Sequence, residues 1–258
     1  MKRLLIAWLA FVPAWTAAAA QENDDFRVRI GLGAQLQPEY YGSDETELGP
    51  YWGLDFARGD NEFRFEAPDD GFDIALISED KFEAGPVANI QRGRKNGDVG
   101  AAVGKIKTTI EAGGFVQFHP VDSLRIRGEL RKGIGGHKGL VGDVGADYVW
   151  RDGDNYVFSI GPRILFSDAK FQRAFFGVSP AVALATGLPA YDPDGGMHAV
   201  AATSGLIYQF NPRIGMFGYA RYERLVGDAA KSPIIRELGS RNQASAGVGL
   251  TYTFTVKR

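Results

Sequence analysis

Phe26-Arg27-Val28-Arg29-Ile30-Gly31-Leu32-Gly33-Ala34-Gln35-Leu36-Gln37 alternates without interruption. Phe26, Val28, Ile30, Leu32, Ala34 and Leu36 fall on one face, and Arg27, Arg29, Gly31, Gly33, Gln35 and Gln37 on the other. A period of two means an extended strand with one apolar and one polar face. Soluble strands run to about five or six residues, whereas a tilted strand crossing a bilayer needs roughly 9–11. This run is long enough to cross. The chain closes in the same way, with Ala244, Ala246, Val248, Leu250, Tyr252 and Phe254 set against Ser245, Gly247, Gly249, Thr251 and Thr253. A first and a last strand of this kind can pair and close a cylinder. The expectation is an all-β, antiparallel transmembrane β-barrel.

Residues 1–20 read as a secretory signal peptide. Lys2 and Arg3 form a basic start, Leu4 to Trp15 an apolar stretch, and Ala18-Ala19-Ala20 a small-residue cleavage site before Gln21. The barrel domain is then 21–258. No later segment approaches the ~18 uninterrupted apolar residues of a spanning helix. Without Lys2 and Arg3, 27 basic residues face 31 acidic ones, a net charge of −4, which argues against a nucleic-acid partner. There is no cysteine, so an exported fold must be held by another device, and a closed hydrogen-bonded barrel is one.

Alternation places strands near 26–37, 49–57, 62–67, 72–78, 81–92, 108–118, 124–133, 139–150, 155–166, 197–209, 213–226 and 242–254. That is about twelve, with ten or fourteen possible because the third and fourth are short and poorly patterned. The links Arg58–Asn61, Ser78–Asp80, His119–Ser123, Arg151–Asp154 and Phe210–Pro212 are tight. They alternate with longer ones at Pro38–Leu48, Gly93–Lys107, Ser167–Gly196 and Gly227–Arg241, and with shorter ones at Pro68–Gly71 and Ile134–Lys138. Short periplasmic turns and long outer loops follow the outer-membrane rule. Phe26, Phe56, Phe63, Phe82, Phe118, Trp150, Tyr156, Tyr208, Tyr252 and Phe254 lie near tight turns or termini and read as the periplasmic aromatic girdle.

Candidate chemistry concentrates on inward faces. Arg125, Arg127, Glu129 and Arg131 share one strand face; the neighbouring strand offers Asp143 and Asp147. Other strands add Arg27, Arg29, Glu83, Arg163, Arg221 and Glu223. These residues could line a narrow aqueous pore, or form cross-strand ion pairs that fill a small barrel. Interleaved signs favour the ion pairs, with Arg127 and Asp143 as a candidate pair. His119, His137 and His198 are the only histidines. No nucleophile motif surrounds any serine, so all three read as surface histidines and no enzyme is expected, although Ser179 near His198 is the nearest thing to a lipase-like pair. No cofactor or metal is expected, since Asp152-Gly153-Asp154-Asn155 and Asp192-Pro193-Asp194-Gly195 lack the spacing of a calcium loop. Ser167–Gly196, with Phe171, Phe175, Phe176, Val178, Val182 and Leu184, is too apolar for a solvated loop. It should plug the barrel or pack over its mouth, where Ser232-Pro233-Ile234-Ile235 can meet it.

Pro38-Glu39-Tyr40-Tyr41-Gly42-Ser43, Phe176-Gly177-Val178-Ser179, Gly187-Leu188-Pro189-Ala190-Tyr191, Gly195-Gly196 and Arg224-Leu225-Val226-Gly227-Asp228-Ala229-Ala230-Lys231-Ser232-Pro233-Ile234 occur in this order. Together they resemble the family of MltA-interacting and OmpV-like outer-membrane proteins, over nearly the whole chain beyond residue 20. The resemblance implies an outer-membrane barrel in contact with outer-membrane lipid. It also implies a scaffold role toward a murein hydrolase or synthase, or the role of a small-solute pore; a lipid-acting barrel enzyme is the remote third reading. Barrels of this kind usually end on an aromatic, whereas Phe254 is followed by Thr255-Val256-Lys257-Arg258. Gly249, Tyr252 and Phe254 still match the usual assembly signal.

Overall fold

The alternation of the first strand is realised with its apolar face outward. In β1 (Phe26–Pro38), Leu32 is 70% exposed and Arg29 only 2%. Water-soluble proteins place these residue types the other way round. The medium outside β1 is therefore lipid. The computed structural model describes residues 25–257, and the segment read as a signal peptide lies outside them.

The remaining strands are β2 (Thr46–Arg58), β3 (Phe72–Asp73), β4 (Ile77–Glu79), β5 (Phe82–Gln91), β6 (Thr109–Val121), β7 (Leu124–Gly135), β8 (Leu140–Asp152), β9 (Tyr156–Ser167), β10 (Gly196–Gln209), β11 (Ile214–Leu225) and β12 (Asn242–Val256). They form one antiparallel twelve-stranded sheet in the order β2-β1-β12-β11-β10-β9-β8-β7-β6-β5-β3, with β4 also on β5. The last strand pairs with the first, from Phe26↔Val256 to Leu36↔Ala246. The exposed faces repeat the pattern of β1: Leu54, Ile90, Ile110, Leu130, Val144, Ile160 and Leu250 point outward. Phe56, Phe82, Phe118, Trp150, Tyr208, Tyr252 and Phe254 are exposed near the short-turn end. Gly59 (φ +57°) and Gly153 (φ +52°) supply the left-handed residues that such tight turns need. His119 and Pro120 belong to β6, so that turn shrinks to Asp122-Ser123.

The stretch 62–67 is not a wall strand. After β2 the chain turns into the lumen, rises inside it over residues 60–71, and returns to the wall as β3 and β4. Those two fragments are one interrupted crossing, bridged by Ile74 N–H to Pro86 O (3.2 Å) and Leu76 N–H to Ala84 O (3.0 Å). Pro68–Gly71 is accordingly an internal turn rather than an outer loop, and Phe63 (3% exposed) is no part of the lipid-facing girdle. Strand parity survives because the inner segment still makes the upward journey. Among the described residues no backbone ladder joins β2 to β3 or β4. The sheet edges meet where Trp52 stacks on Phe72, ring centroids 5.2 Å apart.

The long loops build a lid from α1 (Ala169–Phe176), α2 (Pro180–Thr186), α3 (Gly227–Lys231) and α4 (Pro233–Leu238). Asp168 caps α1 by accepting Phe171 N–H at 2.9 Å. Ser179 caps α2 and Pro180 takes its first turn, both favoured at a helix start. Phe171, Phe175, Phe176 and Ile235 pack with Ile106, Val141, Ala199 and Leu225 from loop and strand ends. Tyr40, Val99, Val103, Val178, Leu188 and Ile234 form a second cluster. Ser232 Oγ donates to Phe176 O at 2.7 Å, tying the two helical loops together.

Candidate functional site in the lumen

The inner segment is held from every side. Phe63 N–H donates to Asp154 Oδ1 (2.9 Å), and Phe63 O accepts from Arg151 (2.7 Å). The Arg29 guanidinium lies 4.3 Å from the centre of the Phe63 ring and that of Arg125 4.8 Å from Phe65, cation–π contacts that use aromatic faces the lipid does not reach. Asp69 receives Arg163 (3.0 Å), Thr203 (3.0 Å) and Arg221, from β9, β10 and β11. Asp70 pairs with Arg125, and Asp73 with Arg127 (2.7 Å) and Arg64. A segment without a ladder at membrane depth is tolerated because protein groups satisfy it.

The twelve residues singled out for the lumen all carry partners. Arg125 binds Asp147 (2.6 Å), Arg163 binds the same carboxylate (2.8 Å), and Arg221 binds Glu223 (2.6 Å). Arg127 binds Glu129 (2.6 Å) and Gln117 (2.9 Å); Glu83 binds Gln117 (2.7 Å) and Arg64 (2.9 Å). Near the short-turn end Arg29 meets Asp55 (2.9 Å) and Arg27 meets Asp154 (2.9 Å). The candidate pair Arg127–Asp143 does not form. The β7–β8 register sets Glu129 opposite Asp143, with Arg127 and Arg131 each two residues away. Arg127 is engaged by Glu129, Asp73 and Gln117, and Asp143 pairs with Arg131 at 3.1 Å. Sequence reasoning missed Asp55, Arg64, Asp69, Asp70, Asp73, Glu111 and Gln117. One signal was available: the twelve named residues hold seven arginines and only five carboxylates, and buried arginines need partners.

Above the inner segment lies a polar chamber of about 240 Å³, floored by Asp69 and roofed by Tyr41, Phe171 and His198. Glu111, Arg131, Asp143, Arg163, Arg221 and Glu223 line it. Tyr41 donates its hydroxyl to Glu223, and burial followed by that carboxylate raises the phenol well above its usual pKa. In the lid, Arg94 donates to Phe175 O (2.9 Å), and burial lowers its pKa to about 10.

Two of the three histidines are not on the surface. His137 accepts Gly139 N–H at Nδ1 (3.0 Å) and donates from Nε2 to Glu111 (3.0 Å), beneath Phe171. His198 Nδ1 lies 3.0 Å from Ser167 Oγ, while Ser179 is occupied in capping α2. Both rings are pinned by the lid, a tertiary effect that local sequence does not carry. Glu223, which lines the same chamber as His198, is taken up by Tyr41 and Arg221. Among the described residues no cluster of His, Asp and Glu could hold a metal ion.

An outward apolar belt, an ion-paired interior and a lumen occupied by the chain itself define a plugged transmembrane β-barrel. Among the described residues no helix is long and apolar enough to cross a membrane. The chain belongs to the MltA-interacting protein MipA family, whose profile matches residues 30–254. No curated protein matches the sequence. Among solved structures it is similar to an outer membrane channel from Pseudomonas putida F1 (8% identity, 89% of this chain and 96% of that one, TM-score 0.45). It is also similar to the outer membrane channel DcaP of Acinetobacter baumannii (10%, 89% and 96%, 0.39) and to the translocator domain of autotransporter NalP from Neisseria meningitidis (17%, 91% and 90%, 0.39).

Proposed function

We propose that this chain is a non-catalytic outer-membrane barrel that acts through interaction in the envelope, with a murein enzyme as partner, and not through passage of solutes. The observation that carries the reading is the inner segment: Asp69 and Asp70 bind arginines of β7, β9 and β11 at once. An interior filled and cross-linked in this way gives little room for diffusion. The family's name supplies the partner class, and the short turns around Gly59, Asp122 and Asn211 are the surface a periplasmic partner can reach.

Planar-bilayer recording tests the closed lumen. The wild-type protein should show no steady conductance, and Asp69→Ala/Asp70→Ala should open one. Steady steps from the wild type would favour the second reading, a narrow pore, for which the 240 Å³ chamber speaks. Binding of purified MltA to the barrel in nanodiscs, weakened by charge reversal at Asp122, tests the interaction. Assembly is assigned to β12, where Tyr252 and Phe254 face outward and Gly249 lies against the Phe217 ring. Phe254→Ala should reduce the heat-modifiable folded fraction, while removal of residues 256–258 should leave it intact. The reverse ranking would transfer the signal to the tail.

A further inference from the structure

The seam between β2 and β3 leads somewhere. Behind the Trp52–Phe72 stack is a cavity of about 200 Å³ whose lining joins the lipid face to the lumen. Six aromatic rings bound it: Tyr51, Trp52, Phe63, Phe65, Phe72 and Phe217. Tyr51 and Phe217 are stacked at 4.4 Å on the inner wall, and Trp52 (51% exposed) and Phe72 (55%) flank the entrance. A 150 Å³ apolar cavity takes up benzene, so this volume suits a molecule of one or two rings.

The cavity also has a polar end. Glu66 lines it and, among the described residues, is hydrogen-bonded only by Arg64 at Oε1, whereas Arg64 is shared with Asp73 and Glu83. One carboxylate oxygen is left to accept from a guest. Arg29 and Arg125 already lie over Phe63 and Phe65, which disfavours a cationic guest on those rings. The seam itself has a physical reason to stay open. Pro50 gives β2 no N–H at that position, as suits an edge strand. An unpaired strand edge in hydrocarbon is costly, so the gap persists where polar atoms stand behind it, and Asp55, Arg64 and Glu66 do.

We propose that the seam is a lateral portal through which small neutral aromatic alcohols or amines enter from the membrane and bind in this cavity, ring among the aromatics and O–H or N–H on Glu66. The site is separate from the polar chamber and needs no open channel.

The test is quenching of tryptophan fluorescence by 4-bromophenol, with the protein in lipid nanodiscs on a Trp150→Phe background, so that Trp52 is the reporter within residues 25–257. Quenching should saturate and be reversed by unbrominated phenol. Gly53→Leu should abolish the saturable part: Gly53 lines the cavity, and a Cβ there meets only Phe217, at 3.5 Å, so the larger side chain fills space without displacing backbone. Glu66→Ala should weaken 4-bromophenol about tenfold, the worth of a hydrogen bond to a charged group, and leave bromobenzene unchanged. Linear, unsaturable quenching equal in the parent and Gly53→Leu would overturn the portal. Equal losses of phenol and bromobenzene in Glu66→Ala would overturn the assignment of the polar end. Heat-modifiability shows that each variant is folded, and if Gly53→Leu fails that check the Glu66→Ala comparison decides.

Discussion

The barrel and its lid have opposite interiors. Inside the wall, Arg125, Arg127, Glu129 and Asp147 are nearly inaccessible and hold one another; inside the lid, the same depth of burial belongs to Phe175, Phe176, Ile234 and Ile235. The sequence changes its rule at the membrane boundary because the surrounding medium changes. Where lipid surrounds the wall, apolar side chains are satisfied facing outward, and the polar face is left to the lumen, where ion pairs must neutralise it. Where the loops emerge into water, apolar residues regain a reason to cluster, and short capped helices supply the faces that do so. One region is held by geometry between charges, the other by area removed from water.

That contrast can be broken by mutation, starting with the largest effect. Arg125→Ala removes the principal partner of Asp70 and one of the two arginines on Asp147, all at a buried site, and should cost about 3–5 kcal/mol. A urea unfolding midpoint measures it, and Arg125→Ala/Asp70→Ala should lose less than the two single variants combined. A midpoint unmoved by Arg125→Ala would mean that the lumen is solvated.

Phe175→Ala should cost about 3 kcal/mol through the cavity it leaves, but within the lid. Hydrogen exchange should accelerate over residues 169–186 and stay slow in β7 and β8. Equal acceleration in the strands would show that lid and wall form one cooperative unit.

A smaller effect sharpens the register. Double-mutant cycles should give Arg131 and Asp143 a coupling of roughly 0.5–3 kcal/mol, as for residues in direct contact. Arg127 and Asp143 should couple more weakly, since Arg127 is turned to Glu129, Asp73 and Gln117. The opposite order would mean that Arg127, and not Arg131, turns to Asp143 across the β7–β8 pair. Least affected should be Arg173→Ala, on the outer surface of α1. Its pair with Asp192 (2.5 Å) is half exposed, and the loss in a thermal melt should stay under about 1 kcal/mol.

Much of this was legible before the fold. Eleven of the twelve strand segments named from alternation correspond to wall segments, within a few residues, because period two is a local property. The exception is instructive. Glu62-Phe63-Arg64-Phe65-Glu66 alternates over only five residues, and its rings meet arginines instead of lipid. Pro68 and the carboxylate pair Asp69-Asp70 were the local hints that the run ends in a polar interior. Pro50, in the edge strand, hinted less, because Pro162 sits in the central β9. Burial of His137 and His198 had no local signal: the residues that cover them, Phe171 and Tyr41, come from loops far away in sequence.

The sequence by itself determined the strands, which face of each meets lipid, and which end carries the short turns, since alternation and turn chemistry are settled between neighbours. Only the tertiary structure decided that residues 60–71 fill the lumen, which carboxylate each arginine takes, and how four loops close the mouth. Those outcomes depend on the width of the closed sheet and on the register between strands, and so on charges that meet only after the wall has curled.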